Sequence, residues 1–192
     1  MELISALLGS VIGGLLALWG TLLGARLQRR HQAAADVAAE AATIRGFLGA
    51  IEAELSVLWE VYSERFRPAL ARVAEGAIFD FEWPVRHDYF TVYTANAALL
   101  GRLPDGALRA LIVRTYTAAR GTLDSIAFNG EMIARVEALQ TVPGPMDADR
   151  QALIDAHRAN LVLYAQGIKQ SDAELGTLFE TLLPRLKEAA VG

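Results

Sequence analysis

Hydrophobic and polar positions alternate along this chain with the period of helices almost everywhere. The first feature is an exception, because it is apolar all round. Residues 3–25 (LISALLGSVIGGLLALWGTLLGA) hold no charge over 23 positions, and Arg26, Arg29 and Arg30 follow at once. At ~1.5 Å per residue the run extends roughly 35 Å as a helix, enough to cross a hydrocarbon core of about 30 Å. A cleaved signal peptide would place its positive charge before a shorter run and end in a small-residue cleavage site, whereas here only Glu2 precedes the run. A buried core helix is the other alternative. The reading adopted is a membrane span. Basic residues follow it and none precede it, so the positive-inside rule puts the N-terminus outside and residues from Arg26 onward in the cytoplasm of a bacterial inner membrane.

Beyond the arginines, residues 32–43 are rich in helix formers. Ile44, Leu48, Ile51, Leu55, Leu58 and Tyr62 then step by 4 and 3, a seam close to the coiled-coil period. Pro68 is expected to end or kink this helix near Phe66. Residues 76–88 read as a connection. A short helix is expected from Tyr89 to about Leu100, capped by Asp88 and stopped by Gly101. Pro104 suits the first turn of the next helix, whose period runs from Leu108 to Leu139. VPGP at 142–145 is a break. Asp147 caps a last helix with the stripe Ile154, His157, Leu161, Tyr164, Ile168, Ser171, Leu175, Leu178 and Leu182, fraying near Pro184. The expected fold is all-α: an N-terminal transmembrane helix continuing into a cytoplasmic bundle of about four helices. The expected domains are 1–30, an anchor with span 3–25 and basic flank, and 31–192, the bundle.

Within the span Ala6, Gly9, Gly13, Ala17, Gly20 and Gly24 recur at steps of 3 and 4, one face of a helix. Small residues let helices approach closely in lipid; glycine is also simply common in membrane helices. The face at Gly9, Gly13, Ala17, Gly20 and Gly24 is taken as an oligomer interface, so the expected partners are the lipid bilayer and further copies of the chain.

Composition narrows the chemistry. Taking Glu2 and the three arginines from 22 Asp+Glu and 18 Lys+Arg leaves 21 and 15, a net charge of −6 over residues 31–192. That argues against a dedicated nucleic-acid surface. With no cysteine, disulfides, thiol catalysis and cysteine-ligated metal are excluded. Arginine outnumbers lysine 16 to 2, a bias typical of GC-rich bacterial genomes. No phosphate-binding glycine loop, nucleophile elbow, calcium loop or paired metal-ligand histidine occurs, so no cofactor or metal is expected.

Two groups of side chains carry candidate function. Phe79, Phe81, Trp83, Tyr89, Phe90 and Tyr93 are six of the 15 aromatics. The alternation of Phe79, Phe81 and Trp83 with Asp80 and Glu82 gives an extended segment one apolar face. It either closes one end of the bundle or offers a surface, at Phe79, Phe81, Trp83 and Tyr89, to a protein partner or trigger. The second group is Arg150 and His157, on one side of the last helix. Their spacing resembles the Arg-x(4–6)-His signature of HEPN ribonucleases. That resemblance implies metal-free RNA cleavage, with His157 as acid/base and Arg150 on phosphate. Gln151 stands where that family often has Asn, Asp or His. The plain alternative is a half-buried histidine and a first-turn arginine.

Two stretches, HDYFTVYTANAALLGRLPDGALRALIVRTY and AARGTLDSIAFNGEMI, resemble a family of small bacterial proteins that join an N-terminal span to a helical cytoplasmic domain. The similarity covers residues ~44–135 and implies no activity. In overall plan the chain also resembles CRISPR-associated membrane accessory proteins, in which an anchor joins a HEPN-like bundle and the assembly compromises the inner membrane. The function expected is a membrane-anchored helical oligomer, a pore-forming or membrane-perturbing defence effector or accessory. The alternatives are a non-enzymatic tethered scaffold or adaptor, and a HEPN-like ribonuclease.

Overall fold

The computed structural model describes residues 2–81 and 89–191. Up to Leu27 it describes the backbone alone, except at Trp19, Thr21, Gly24 and Arg26. The described chain is all-helical: α1 Glu2–Ala71, α2 Thr91–Ala95, α3 Ala97–Leu100, α4 Gly106–Thr141 and α5 Ala148–Val191. It divides into two compact units, Met1–Ile44 and Arg45–Gly192.

In the first unit the side chains of residues 28–39 are all exposed, with Val37 at 70%. Alanine-rich composition carries this segment, since nothing is buried there. Among the described residues no helix is long and apolar enough to cross a membrane. Most side chains of the expected span, and those of the interface at Gly9, Gly13, Ala17 and Gly20, lie outside the described residues. Gly24 is exposed, with no atom within 4 Å of where a Cβ would stand.

The second unit is a bundle of three long helical segments with α2 and α3 at its side. α4 and α5 lie antiparallel and pack closely: Asp105 meets Arg185 at 2.9 Å, Arg114 meets Glu174 at 2.7 Å, and the Phe128 and Tyr164 rings lie 5.0 Å apart. The α1 portion from Arg45 runs antiparallel to α5. Gly49 faces Ala190, Trp59 stacks on Phe179 at 4.5 Å, and Arg67 meets Asp172. The expected seam supplies the core: Leu48, Ile51, Leu55 and Tyr62 are at most 4% exposed. Also buried are Ile112, Ala119 and Ile126 of α4 and Leu175, Phe179, Leu182 and Leu186 of α5. Beyond the end of α1, Met132, Ile133, Val136, Ile154 and Leu161 form a second cluster between α4 and α5 alone.

Four local expectations change. α1 passes Pro68 and ends at Ala71. A proline in the last turn removes a single intrahelical bond, and its fixed φ is already helical. α5 likewise continues past Pro184 to Val191. The single short helix expected over 89–100 is two, separated at Asn96, whose φ of −119° breaks the helical run. The expected cap Asp88 lies outside the described residues; the start of α2 is held by Glu54 from α1, whose carboxylate accepts from the Val92 N–H at 2.7 Å and the Tyr93 N–H at 3.3 Å. Finally, Pro104 precedes α4, and Asp105 caps it, accepting from Ala107 N and Leu108 N at 2.9 Å each. Those bonds, the Leu108 one first, hold the Asp105 carboxyl below its ordinary range, with Arg185 adding to them. Asp147 caps α5 as expected, accepting from Arg150 N at 2.7 Å.

Candidate functional site

The polar groups of the bundle gather in three places. At the foot of α1, a guanidinium, a carboxylate and an ammonium tie the helix end to α5. Arg67 Nε lies 3.1 and 3.3 Å from the two Asp172 oxygens, and Lys169 Nζ donates to the Val73 carbonyl just past the end of α1. A cation is favoured beside a helix C-terminus. Arg67 also lies over the Trp59 ring at 5.1 Å. Gly176 makes the room, since a Cβ there would meet Arg67 Nη2 at 3.4 Å and Trp59 at 3.8 Å. A cleft of about 470 Å³ opens beside this group, lined by Arg67, Pro68, Leu70, Ala71, Lys169 and Asp172.

In the second place, Glu54 draws together α1, α2 and α4. Besides the two α2 amides it accepts from Thr91 Oγ1 at 3.4 Å and from the Tyr116 hydroxyl at 2.8 Å. Burial, then the hydrogen bond and charge of Glu54, push the Tyr116 hydroxyl far above its ordinary range. Tyr62 is raised likewise, by burial first and then by the charge of Asp172.

These two shifts make stability pH-dependent with a definite sign. In the unfolded chain both hydroxyls titrate near 10.0, while in the fold they keep their protons well above it. Above pH 10 the unfolded state therefore binds fewer protons, and stability falls as pH rises; below pH 10 the two groups contribute no slope. Each contributes up to about 1.4 kcal/mol per pH unit. Urea titrations of the wild type and of Tyr62→Phe/Tyr116→Phe between pH 9 and 11 are expected to show the alkaline slope only in the wild type; equal slopes would refute the assignment.

The third place is the α4–α5 turn, where the structure puts Arg150. Its Nε–H donates to Met146 Sδ at 2.9 Å and its Nη1 to the Val142 carbonyl at 3.1 Å. This arginine braces the turn around Gly144, whose φ is +109°. His157 is half-buried two turns further on, about 10 Å along the helix, and no hydrogen bond joins it to Arg150 among the described residues. The aromatic segment divides. Phe79 is 2% exposed, edge-on to Phe66 at 5.1 Å and stacked on Phe81 at 5.4 Å. Its carbonyl accepts from Asn129 Nδ2 at 2.8 Å, so it packs inside and lends no surface to a partner. Phe81 and Tyr89 are half-buried. Trp83 lies outside the described residues. Among those described, no three His, Asp or Glu side chains are grouped to hold a metal ion.

Sequence reasoning passed over Glu54, Arg67, Asp172 and Lys169. Each pairs with a residue 38 to 105 positions away, and no local pattern announces such a partner. No protein-family model matches the chain, and no curated protein or solved structure is significantly similar to it. The functional reading rests on the chain's own residues.

Proposed function

We propose that this chain is a single-span, self-associating membrane tether whose helical bundle works at the cytoplasmic face of a bacterial inner membrane as a scaffold or adaptor. The observation that carries it is the uncharged 23-residue segment with arginines on one flank, which lies within α1. A segment of that length and apolarity has a natural solvent in a bilayer. The ion pairs and caps of the bundle favour the scaffold form over the ribonuclease: Arg150 is committed to the α4–α5 turn. Self-association is supported by the small residues of the span, Gly9, Gly13, Ala17, Gly20 and Gly24, in the spacing that allows close helix approach in lipid. A pore-forming effector is the same tether with an added activity, leakage.

The cysteine-free chain allows a direct test. The protein is expected to stay in membranes through alkaline carbonate. A cysteine at Glu2 should label from outside intact spheroplasts, and one at Ala190 only after permeabilisation. Gly13→Leu or Gly20→Leu is expected to disperse the oligomer seen by native mass spectrometry. Release by carbonate would overturn the tether. Dye leakage that requires the oligomer would move the reading to the effector.

A further inference from the structure

Between α2 and the middle of α4 lies a cleft of about 370 Å³ lined by Tyr93, Tyr116, Thr117, Arg120, Gly121 and Asp124. Its floor is aromatic and fixed. The Tyr93 and Tyr116 rings stack at 4.0 Å with 22° between their planes, and the Glu54 carboxylate holds the Tyr116 hydroxyl. On the rim stand one cation and one anion. Arg120 lies over the Phe90 ring at 5.5 Å, Asp124 is one turn further along α4, and both are exposed. A spacing of four residues would allow them to pair. Yet among the described residues neither forms an ion pair, whereas Arg114, also exposed on α4, holds the Glu174 carboxylate. Between them Gly121 leaves the wall open, with no atom within 4 Å of where its Cβ would stand.

We infer that this cleft binds a free α-amino acid with an aromatic side chain. Its carboxylate meets Arg120, its ammonium meets Asp124, and its ring lies against Tyr93. The site carries one charge of each sign, so it matches a zwitterion. A nucleotide or other polyanion would set negative charge against Asp124. A cleft of this volume falls in the range of small-molecule sites, with an aromatic lining and few polar groups that fix orientation. Ring stacking against tyrosine adds a geometric preference that a purely aliphatic ligand lacks.

Calorimetry on the full-length protein in mild detergent tests the site with four probes. L-phenylalanine is expected to bind with Kd between about 10 μM and 1 mM, as its size allows. Glycine removes the ring, N-acetyl-L-phenylalanine the ammonium and L-phenylalaninamide the carboxylate. Loss of either charged contact should weaken binding about 10- to 100-fold, and glycine should bind at least about tenfold more weakly. Arg120→Ala and Asp124→Asn should each reproduce the matching loss. Gly121→Leu separates binding from folding. It replaces a poor helix former with a good one and fills the cleft, so the melting temperature should hold or rise while binding disappears. No binding of L-phenylalanine by the wild type overturns the inference, as does binding that Gly121→Leu leaves unchanged or that N-acetyl-L-phenylalanine and the amide match.

Discussion

Replacing Phe66 with alanine is expected to cost the bundle about 3–5 kcal/mol, the range for emptying a fully buried aromatic position. Phe66 is 0% exposed and joins α1 to the segment that follows it. It stacks on Tyr62 at 4.9 Å within α1, and it stands edge-on to Phe79 at 5.1 Å and to Phe81 at 5.7 Å in the segment that follows α1. Aromatic pairs contribute beyond their area, about 0.5–1.5 kcal/mol each. Phe79 is also held from α4 by Asn129, so the ring pocket has little freedom to collapse. The loss should appear in urea as a lower midpoint with an unchanged slope. A cost under about 1 kcal/mol would mean that Phe66 does not sit in a closed, well-packed pocket.

The second large effect runs the other way. Gly49 on α1 lies where an added Cβ would stand 3.8 Å from Ala190 Cβ on α5. That is the mean Cβ separation of disulfides, about 3.8 Å, and the chain has no cysteine to compete. In Gly49→Cys/Ala190→Cys the oxidised pair closes a loop of about 140 residues, and the chain-entropy estimate for such a loop is roughly 5 kcal/mol. Strain commonly reduces the yield, so an oxidised-minus-reduced gain of about 2–4 kcal/mol is expected. Failure to form the bond under mild oxidant would contradict the antiparallel seating of α1 on α5 at this level.

The parts of the fold and the candidate sites differ in how well they can be read from the residues alone. Tyr62, Leu55 and Ile51 were visible as a seam because a helix repeats its buried face every three or four positions. Asp105 was missed as the α4 cap, although it sits one residue after Pro104 and has the side chain that capping calls for. Phe79 was open to two readings, core or surface. Alternation shows that one face is apolar, and says nothing about what lies opposite; Phe66 and Asn129 supply that. Glu54 was invisible for a different reason. It precedes Leu55 on the edge of the seam, where any polar residue would satisfy the pattern, and its meaning comes from the amides of α2. The Arg120 and Asp124 cleft shares that difficulty, because its floor is assembled from Tyr93 and Tyr116 on separate elements.

The antiparallel seating of α1 on α5 also sets an order of events during synthesis. α4 and α5 are neighbours in sequence, joined by a six-residue turn, and such local contacts close early. α1 has its partners at the far end of the chain, Trp59 with Phe179 and Arg67 with Asp172. A ribosome adding about 5–20 residues per second needs on the order of ten seconds to make the intervening chain. Until α5 is made, the faces of Trp59 and Arg67 that it covers stand without those partners. Until then that part of α1 is apolar surface of the kind that a holding chaperone can cover.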